Sequence, residues 1–299
     1  HFKVFTPYSR SFREELNEDY LKCFPEPIKQ KTKIGESDEI PNFDLEDVLK
    51  KNALKLYEPG EKAAREILEN FFKNKISDYK VARDFPAQDS TSKLSVYLSS
   101  GIISAKTCVS KLLELSEDSP GTGEYSWFNE IIWREFYKYI IFHYPRVSMR
   151  KSFNEKYDHV QWRNNEEDFI AWTKGETGFP IIDAAIKQLL NTGWMHNRLR
   201  MIVAMFLSKN LLIDWKRGEE FFMQNLIDGD HASNVGGWQW SASTGVDAAP
   251  YFRIFNPITQ SEKFDKEGLF LKHYLPNLES LSSKDCLLYT SPSPRDSSQ

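Results

Sequence analysis

Between Trp194 and Arg253 the chain reads WMHNRLRMIVAMFLSKNLLIDWKRGEEFFMQNLIDGDHASNVGGWQWSASTGVDAAPYFR, and this stretch narrows the possible folds more than any other. Four of the eight tryptophans lie in it (Trp194, Trp215, Trp238 and Trp240), interleaved with arginines, asparagines and aspartates. Polar groups buried among aromatics must be paired, because an unpaired one costs about 1–3 kcal/mol. A segment of this kind fits the lining of a site, and equally a satisfied polar turn between two core helices.

Its first half has helical periodicity. Leu199, Ile202, Val203, Phe206 and Leu207 recur at i, i+3, i+4, i+7 and i+8 and form one apolar stripe. Asn197, Arg200 and Met201 fall on a second face. The helix is expected to end or bend near Asn210. Ile227-Asp228-Gly229-Asp230 reads as a turn in which Gly229 is free to take positive φ. Gly236-Gly237 reads as a break that lets the backbone approach something closely before Trp238 and Trp240.

Elsewhere helices also dominate. His1–Tyr8 reads as a short extended piece and Ser11–Leu21 as a helix, and residues 23–43, rich in Pro, Lys and Glu, have the character of a linker. Pro59-Gly60-Glu61 opens a helix whose buried side holds Ala63, Ala64, Ile67, Leu68, Phe71 and Phe72. Ser90-Thr91-Ser92 ahead of an apolar run fits a helix N-cap or a phosphate site at a helix start. Residues 116–126 read as a loop and Trp127–Tyr144 as a strong helix, with Trp127, Glu130, Arg134 and Lys138 on one face and Trp133 and Tyr137 beside it. By itself that pattern is also an ordinary packed face with an exposed ion pair. Residues 145–165 look basic and loop-like, and Arg146, Arg150 and Lys151 read as a solvated face more readily than as a DNA rim. Phe179-Pro180 opens a further helix that Gly193 ends.

Composition sets limits on function. A net charge of −4 over 299 residues means that nucleic-acid contact has to come from a local basic patch. Cys23, Cys108 and Cys286 have neither metal nor disulfide spacing, which points to reduced thiols and no metal centre. No apolar run approaches the roughly 20 residues needed to span a bilayer. The chain starts at His1 and is expected to be a fragment.

Five words in order carry a resemblance: RDFPAQDSTSKLS (83–95), WFNEIIWREFY (127–137), GWMHNRLRM (193–201), LIDGDHASNVGGWQW (226–240) and DAAPYFRIFNP (247–257). The chain closely resembles the flavin domain of the photolyase/cryptochrome family, and most of all the microbial class I members that repair cyclobutane pyrimidine dimers. The resemblance implies a mainly α chain: a helical FAD-binding domain preceded by a short remnant of an α/β antenna domain. On that scheme residues 1–22 end the antenna domain, 23–52 form the linker and 53–285 the helical catalytic domain. Residues 286–299 carry no helical periodicity and are expected to be a foreign or disordered tail.

The resemblance also implies chemistry. Opening a cyclobutane ring needs an electron, so a cofactor carries the hard step. The family uses excited, reduced FAD. The positions matching its FAD contacts are Tyr79, Thr91, Ser92, Lys93, Leu94, Ser95, Trp127, Arg134, Asn197, Arg200, Asp228, Gly229, Asp230 and Asn234. Asn234 falls opposite flavin N5, and Arg200 is able to pair with Asp228. Glu130, Trp133, Asn197, Met201 and Trp240 match the lesion pocket. Arg83, Glu130, Trp133, Arg134, Asn197, Arg198, Arg200 and Gln260 match DNA contacts, and Trp238, Trp215 and Trp162 match the proximal, middle and surface members of an electron-transfer chain. By spacing alone these three are equally core tryptophans.

The implied partner is ultraviolet-damaged DNA, with the lesion turned out of the duplex; photolyases are themselves a standing example of such base flipping. The implied protein is a cytoplasmic monomer acting on nucleoid DNA. An antenna chromophore, folate or deazaflavin, is implied only for a longer chain. A (6-4) photolyase would have histidines at Asn197 and Met201, and a cryptochrome-type light receptor is the alternative from another class.

Overall fold

The computed structural model describes residues 1–25, 28–29, 35, 39, 56–115 and 118–288. Most of the expected linker therefore lies outside the described residues, as do residues 289–299 of the expected tail. Among the described residues there is no strand, and no helix is long and apolar enough to cross a membrane.

Helix α1 is Phe5–Glu15 and α2 is Glu18–Leu21. The expected extended piece is thus helical from Phe5 onward. Phe5, Tyr8 and Phe12 recur at helical spacing and pack against the hydrophobic clusters, and the Phe5 N–H finds an acceptor in Asp247 at 3.1 Å. Arg13 then ties α1 to the body through Asp118 (2.6 Å) and Asn129 (3.0 Å).

Helix α3, Glu61–Asn74, starts after Gly60 as the Pro-Gly-Glu signal predicts and buries Ala63, Ala64, Leu68, Phe71 and Phe72. Two short helices follow, α4 (Tyr79–Ala82) and α5 (Ser95–Ser99). The hydroxyls of residues 90–92 do not cap α5. Its N-cap is Leu94 with no side-chain bond, the Ser90 hydroxyl donates to the Ala82 carbonyl at 2.7 Å, and Ser92 Oγ accepts from Trp127 Nε1 at 3.3 Å.

After α6 (Ala105–Leu115) comes the long helix α7, Gly123–His143, capped by Thr122. It starts four residues earlier than the loop reading of 116–126 allows, because the Thr122 hydroxyl accepts the Tyr125 N–H at 3.1 Å. Helix α7 joins two cores. Trp127, Phe128, Ile131 and Ile132 belong to a smaller cluster with α3, α5 and α6, while Phe136 and Ile140 belong to the larger one. The turn of helix between them carries Glu130, Trp133 and Arg134.

The segment expected to be loop-like holds two short 3₁₀ helices, Pro145–Met149 and Glu155–His159. Arg146 pairs with Asp158 at 2.7 Å and Arg150 with Glu220 at 3.2 Å, so neither is a free cation.

The larger core gathers α8 (Glu166–Lys174), α9 (Pro180–Thr192), α10 (Asn197–Met205), α11 (Trp215–Asn225) and α12 (His231–Ser241). The bend expected near Asn210 is a π-helical turn over Phe206–Asn210. Gly229 does not take positive φ; the turn is made by Ile227 and Asp228 with ordinary backbone angles. Gly236-Gly237 is no break either, since both lie inside α12. Close approach applies to Gly236 alone, where a Cβ would sit 2.2 Å from the Tyr137 ring of α7.

Helices α13 (Pro257–Phe264), α14 (Leu269–Tyr274) and α15 (Ser283–Leu288) close the fold against α9. Cys286 and Leu287 are buried, so the first residues of the expected tail pack in the core.

Candidate functional site

Where α7, α10 and α12 converge they leave a cavity of about 370 Å³. Helix α7 contributes Glu130, Trp133, Arg134 and Tyr137. Helix α10 contributes Asn197, Arg200, Met201 and Ala204, the polar face read from the sequence, while Leu199, Ile202 and Val203 turn into the core. Asp228 and Asp230 enter from the turn before α12, and Asn234, Gly237, Trp238 and Trp240 from α12 itself.

The start of α10 is pinned by His196. Its Nδ1 accepts the Arg198 N–H at 3.2 Å, and its own backbone N–H donates to buried Gln188 at 3.0 Å. Burial pushes the imidazole down to about 4, so the cap is a neutral ring with an acceptor to offer. Arg200 then reaches back, with Nε on the Met195 carbonyl (2.8 Å) and Nη2 on Asp228 Oδ2 (2.7 Å). The Asp228 side chain is 2% exposed, and its Oδ1 has no partner. A buried, unpartnered carboxylate oxygen on the cavity wall is aimed at something polar.

Asp230 caps α12, accepting from the Ser233 N–H (2.8 Å) and hydroxyl (2.7 Å). The Asn234 amide nitrogen donates to both the Glu219 carbonyl (3.0 Å) and its Oε1 (2.9 Å). Both donors are thereby occupied, and its carbonyl oxygen is left as an acceptor beside the cavity. Above Gly237 nothing lies within 4 Å of where a Cβ would be, so a flat group can lie against the backbone there.

Toward the mouth, Arg83 pairs with Glu130 at 2.5 Å. The Arg134 guanidinium is held by Glu135 (2.6 Å) and the Leu98 carbonyl (3.1 Å). Burial pushes the Tyr137 hydroxyl up, so it stays protonated against the core.

Not every expected residue reaches this cavity. Tyr79 and Leu94 are buried in the smaller cluster, and Trp127 is packed between Phe71 and Phe72. Ser92 and Ser95 accept from the indoles of Trp127 and Trp194 (3.3 and 3.4 Å), and Lys93, at φ +53, pairs with Asp89 at 2.8 Å. These residues, with Thr91, Gly229 and Gln260, stand outside the cavity lining. Arg198 bonds Asp84 at 2.6 Å and lies over the Phe264 ring.

Of the three tryptophans, Trp238 lines the cavity and Trp215 is fully buried. The Trp238 ring lies against Gly218, where a Cβ would sit 2.1 Å away, one turn along α11 from Trp215. Half-buried Trp162 comes up to the same helix, because the next residue, Arg163, donates to the Leu212 carbonyl at 2.8 Å and Asn164 accepts the Asp214 N–H at 2.8 Å. Trp238 thus lies at the cavity, Trp215 in the core and Trp162 partly exposed against that core. The sequence does not single out Trp172 or Phe222, since a lone aromatic at helical spacing carries no mark separating it from core.

The model of the FAD binding domain of DNA photolyase matches residues 127–298. The chain belongs to the photolyase family. It is 46% identical over 284 residues to a deoxyribodipyrimidine photo-lyase of Escherichia coli, covering 95% of this chain and 60% of that one. It therefore spans about 60% of the length of the curated relatives it matches. Among solved structures, a class III photolyase from Agrobacterium tumefaciens superposes with a TM-score of 0.87 at 39% identity, covering 95% of this chain and 60% of that chain. A Synechocystis cryptochrome superposes at 0.77 with 27% identity, covering 98% of this chain and 62% of that chain. Photolyase and cryptochrome thus share this helical fold, and the side chains in the cavity have to carry any distinction between them.

Proposed function

We propose that this chain is the flavin-binding and lesion-binding part of a light-driven repair enzyme that splits cyclobutane pyrimidine dimers in DNA. The observation that carries the reading is a juxtaposition. One cavity holds residues matched to flavin contacts (Arg200, Asp228, Asp230, Asn234) and residues matched to lesion contacts (Glu130, Trp133, Met201, Trp240).

The cavity suits the cofactor. The free Asp228 oxygen is an acceptor for a flavin N–H, the open surface over Gly237 takes a flat ring, and the Asn234 carbonyl oxygen accepts from a reduced ring nitrogen. Bound reduced FAD would supply, on excitation, the electron that opens the cyclobutane ring and that returns once its two C–C bonds have broken. The chain's own residues do the rest. Trp133 and Trp240 present flat walls to flipped bases, with stacking worth about 1–3 kcal/mol per base. Glu130, held by Arg83, offers a carboxylate to the pyrimidine edge. Trp238, Trp215 and Trp162 carry electrons inward to a flavin that has become oxidised.

Asn197 and Met201 favour the cyclobutane lesion over the (6-4) product, and the lesion-type residues at Glu130, Trp133 and Met201 favour repair over pure light reception. On this reading the enzyme works as a monomer on cytoplasmic, nucleoid DNA, and an antenna chromophore belongs to a longer chain. The test is light-dependent repair of a dimer-bearing oligonucleotide by flavin-loaded protein. Repair of cyclobutane dimers supports the reading, and bound, reduced flavin without repair removes it.

A further inference from the structure

Three rings of the fold pack on the Trp133 indole: Phe5 flat against one face, and Phe136 and Tyr137 at an angle to it, each at 5.6 Å. Phe5, the first residue of α1, stacks on the indole with ring centroids 3.7 Å apart and planes within 3°. Phe136 meets the same indole edge-on at 5.6 Å. Trp133 lines both the main cavity and a smaller one of about 290 Å³, whereas Phe5 lines only the smaller. The indole surface reached from the main cavity is therefore not the surface that Phe5 covers.

Phe5 is itself held from a distance. Its backbone N–H donates to Asp247 Oδ2 at 3.1 Å, across 242 positions of sequence. Val4, the N-cap of α1, makes no side-chain cap bond, so Asp247 serves as the cap in its place. It satisfies an orphan donor and sets a negative charge at the positive end of the helix. Asp247 sits at φ +46, a left-handed conformation that Asp tolerates better than most residues. Two residues on, the Ala249 N–H donates to the Trp240 carbonyl at 3.2 Å. One short segment thus ties the start of α1 to the backbone of Trp240, and the indoles of Trp133 and Trp240 are both referenced to it.

We propose that Phe5 and Asp247 are a positioning pair: they fix the plane of Trp133 so that a flipped base of the damaged strand meets an indole face already set. The proposal rests on the repair reading above. Neither residue is a catalytic residue; both act through Trp133.

The test compares flavin-loaded protein with Phe5→Leu, Phe5→Tyr, Asp247→Ala and Asp247→Asn. Affinity for a dimer-bearing and an undamaged oligonucleotide is measured for each, together with flavin content and the rate of flavin photoreduction. Leu keeps apolar bulk and removes the ring; Tyr keeps the ring. Phe5→Leu and Asp247→Ala are expected to weaken dimer binding about two- to tenfold, the range an aromatic pair spans. Phe5→Tyr and Asp247→Asn should bind like the unaltered protein, and undamaged DNA, flavin content and photoreduction should stay unchanged throughout. Unchanged dimer affinity in Phe5→Leu overturns the proposal, as does an equal loss of flavin, which would make Phe5 ordinary packing. An unaltered protein that fails to prefer the dimer overturns the repair reading first.

Discussion

Arg200 and Asp228 meet at 2.7 Å across 28 positions of sequence, and the bond leaves the second oxygen of a buried carboxylate unpaired on the cavity wall. The pair does two things at once: it neutralises a buried charge, and it aims an acceptor at whatever fills the cavity.

Breaking it from the arginine side should be costly. Arg200→Ala strands Asp228, and losing one partner of a buried pair costs about 3 kcal/mol or more. A lower denaturation midpoint and poor retention of FAD through gel filtration are the expected results. Arg200→Lys should not restore either, because one ammonium cannot span both the Met195 carbonyl and Asp228 as the guanidinium fork does.

Glu130→Ala should separate chemistry from cofactor binding. Glu130 bonds Arg83 whereas Asp228 bonds Arg200, so the two carboxylates have separate partners. A hydrogen bond to a charged group contributes about 1.5–3 kcal/mol, so repair per bound lesion should fall about tenfold or more. Flavin content, read from visible absorbance, should not change.

Trp162→Phe should stop light-driven reduction of oxidised flavin and spare repair by protein already reduced. Transient absorption after a flash checks the first, and repair under anaerobic reduction the second. Normal photoreduction in this variant would remove Trp162 from the electron path.

Acid should weaken the fold partly through His196. Burial holds its imidazole at about 4 against the ordinary 6.5, so between those values the unfolded chain takes up a proton that the folded chain refuses. Stability therefore falls as pH drops through that window, by about 2 kcal/mol from this residue between about pH 7 and about pH 5. His196→Asn keeps a good N-cap acceptor and removes the titration. Its denaturation midpoint should fall less than that of the unaltered protein over the same range.

The parts of the fold that local periodicity controls could be read from the sequence. The stripe of α10, the Pro-Gly-Glu start of α3 and the Gly193 stop of α9 are set within a few residues, and so are the two faces of α10 that divide core from cavity. The Arg200–Asp228 pairing was available only through the family resemblance, which set both residues at the flavin. What could not be read depends on distant partners. Helix α1 starts at Phe5 because Asp247 caps it, Gly236 is required because Tyr137 lies across from it, and the Ser90 and Ser92 hydroxyls do not cap α5 because the Ala82 carbonyl and the Trp127 indole N–H engage them.

If one cavity joins flavin to a pyrimidine dimer, light alone should reverse the damage in a purified system. Flavin-loaded protein is reduced without oxygen, mixed with ultraviolet-irradiated oligothymidine and exposed to blue light while the ultraviolet absorbance of the bases is followed. Base absorbance should recover in the light and stay unchanged in the dark. Flavin that is bound and fully reduced, with no recovery under illumination, would contradict it.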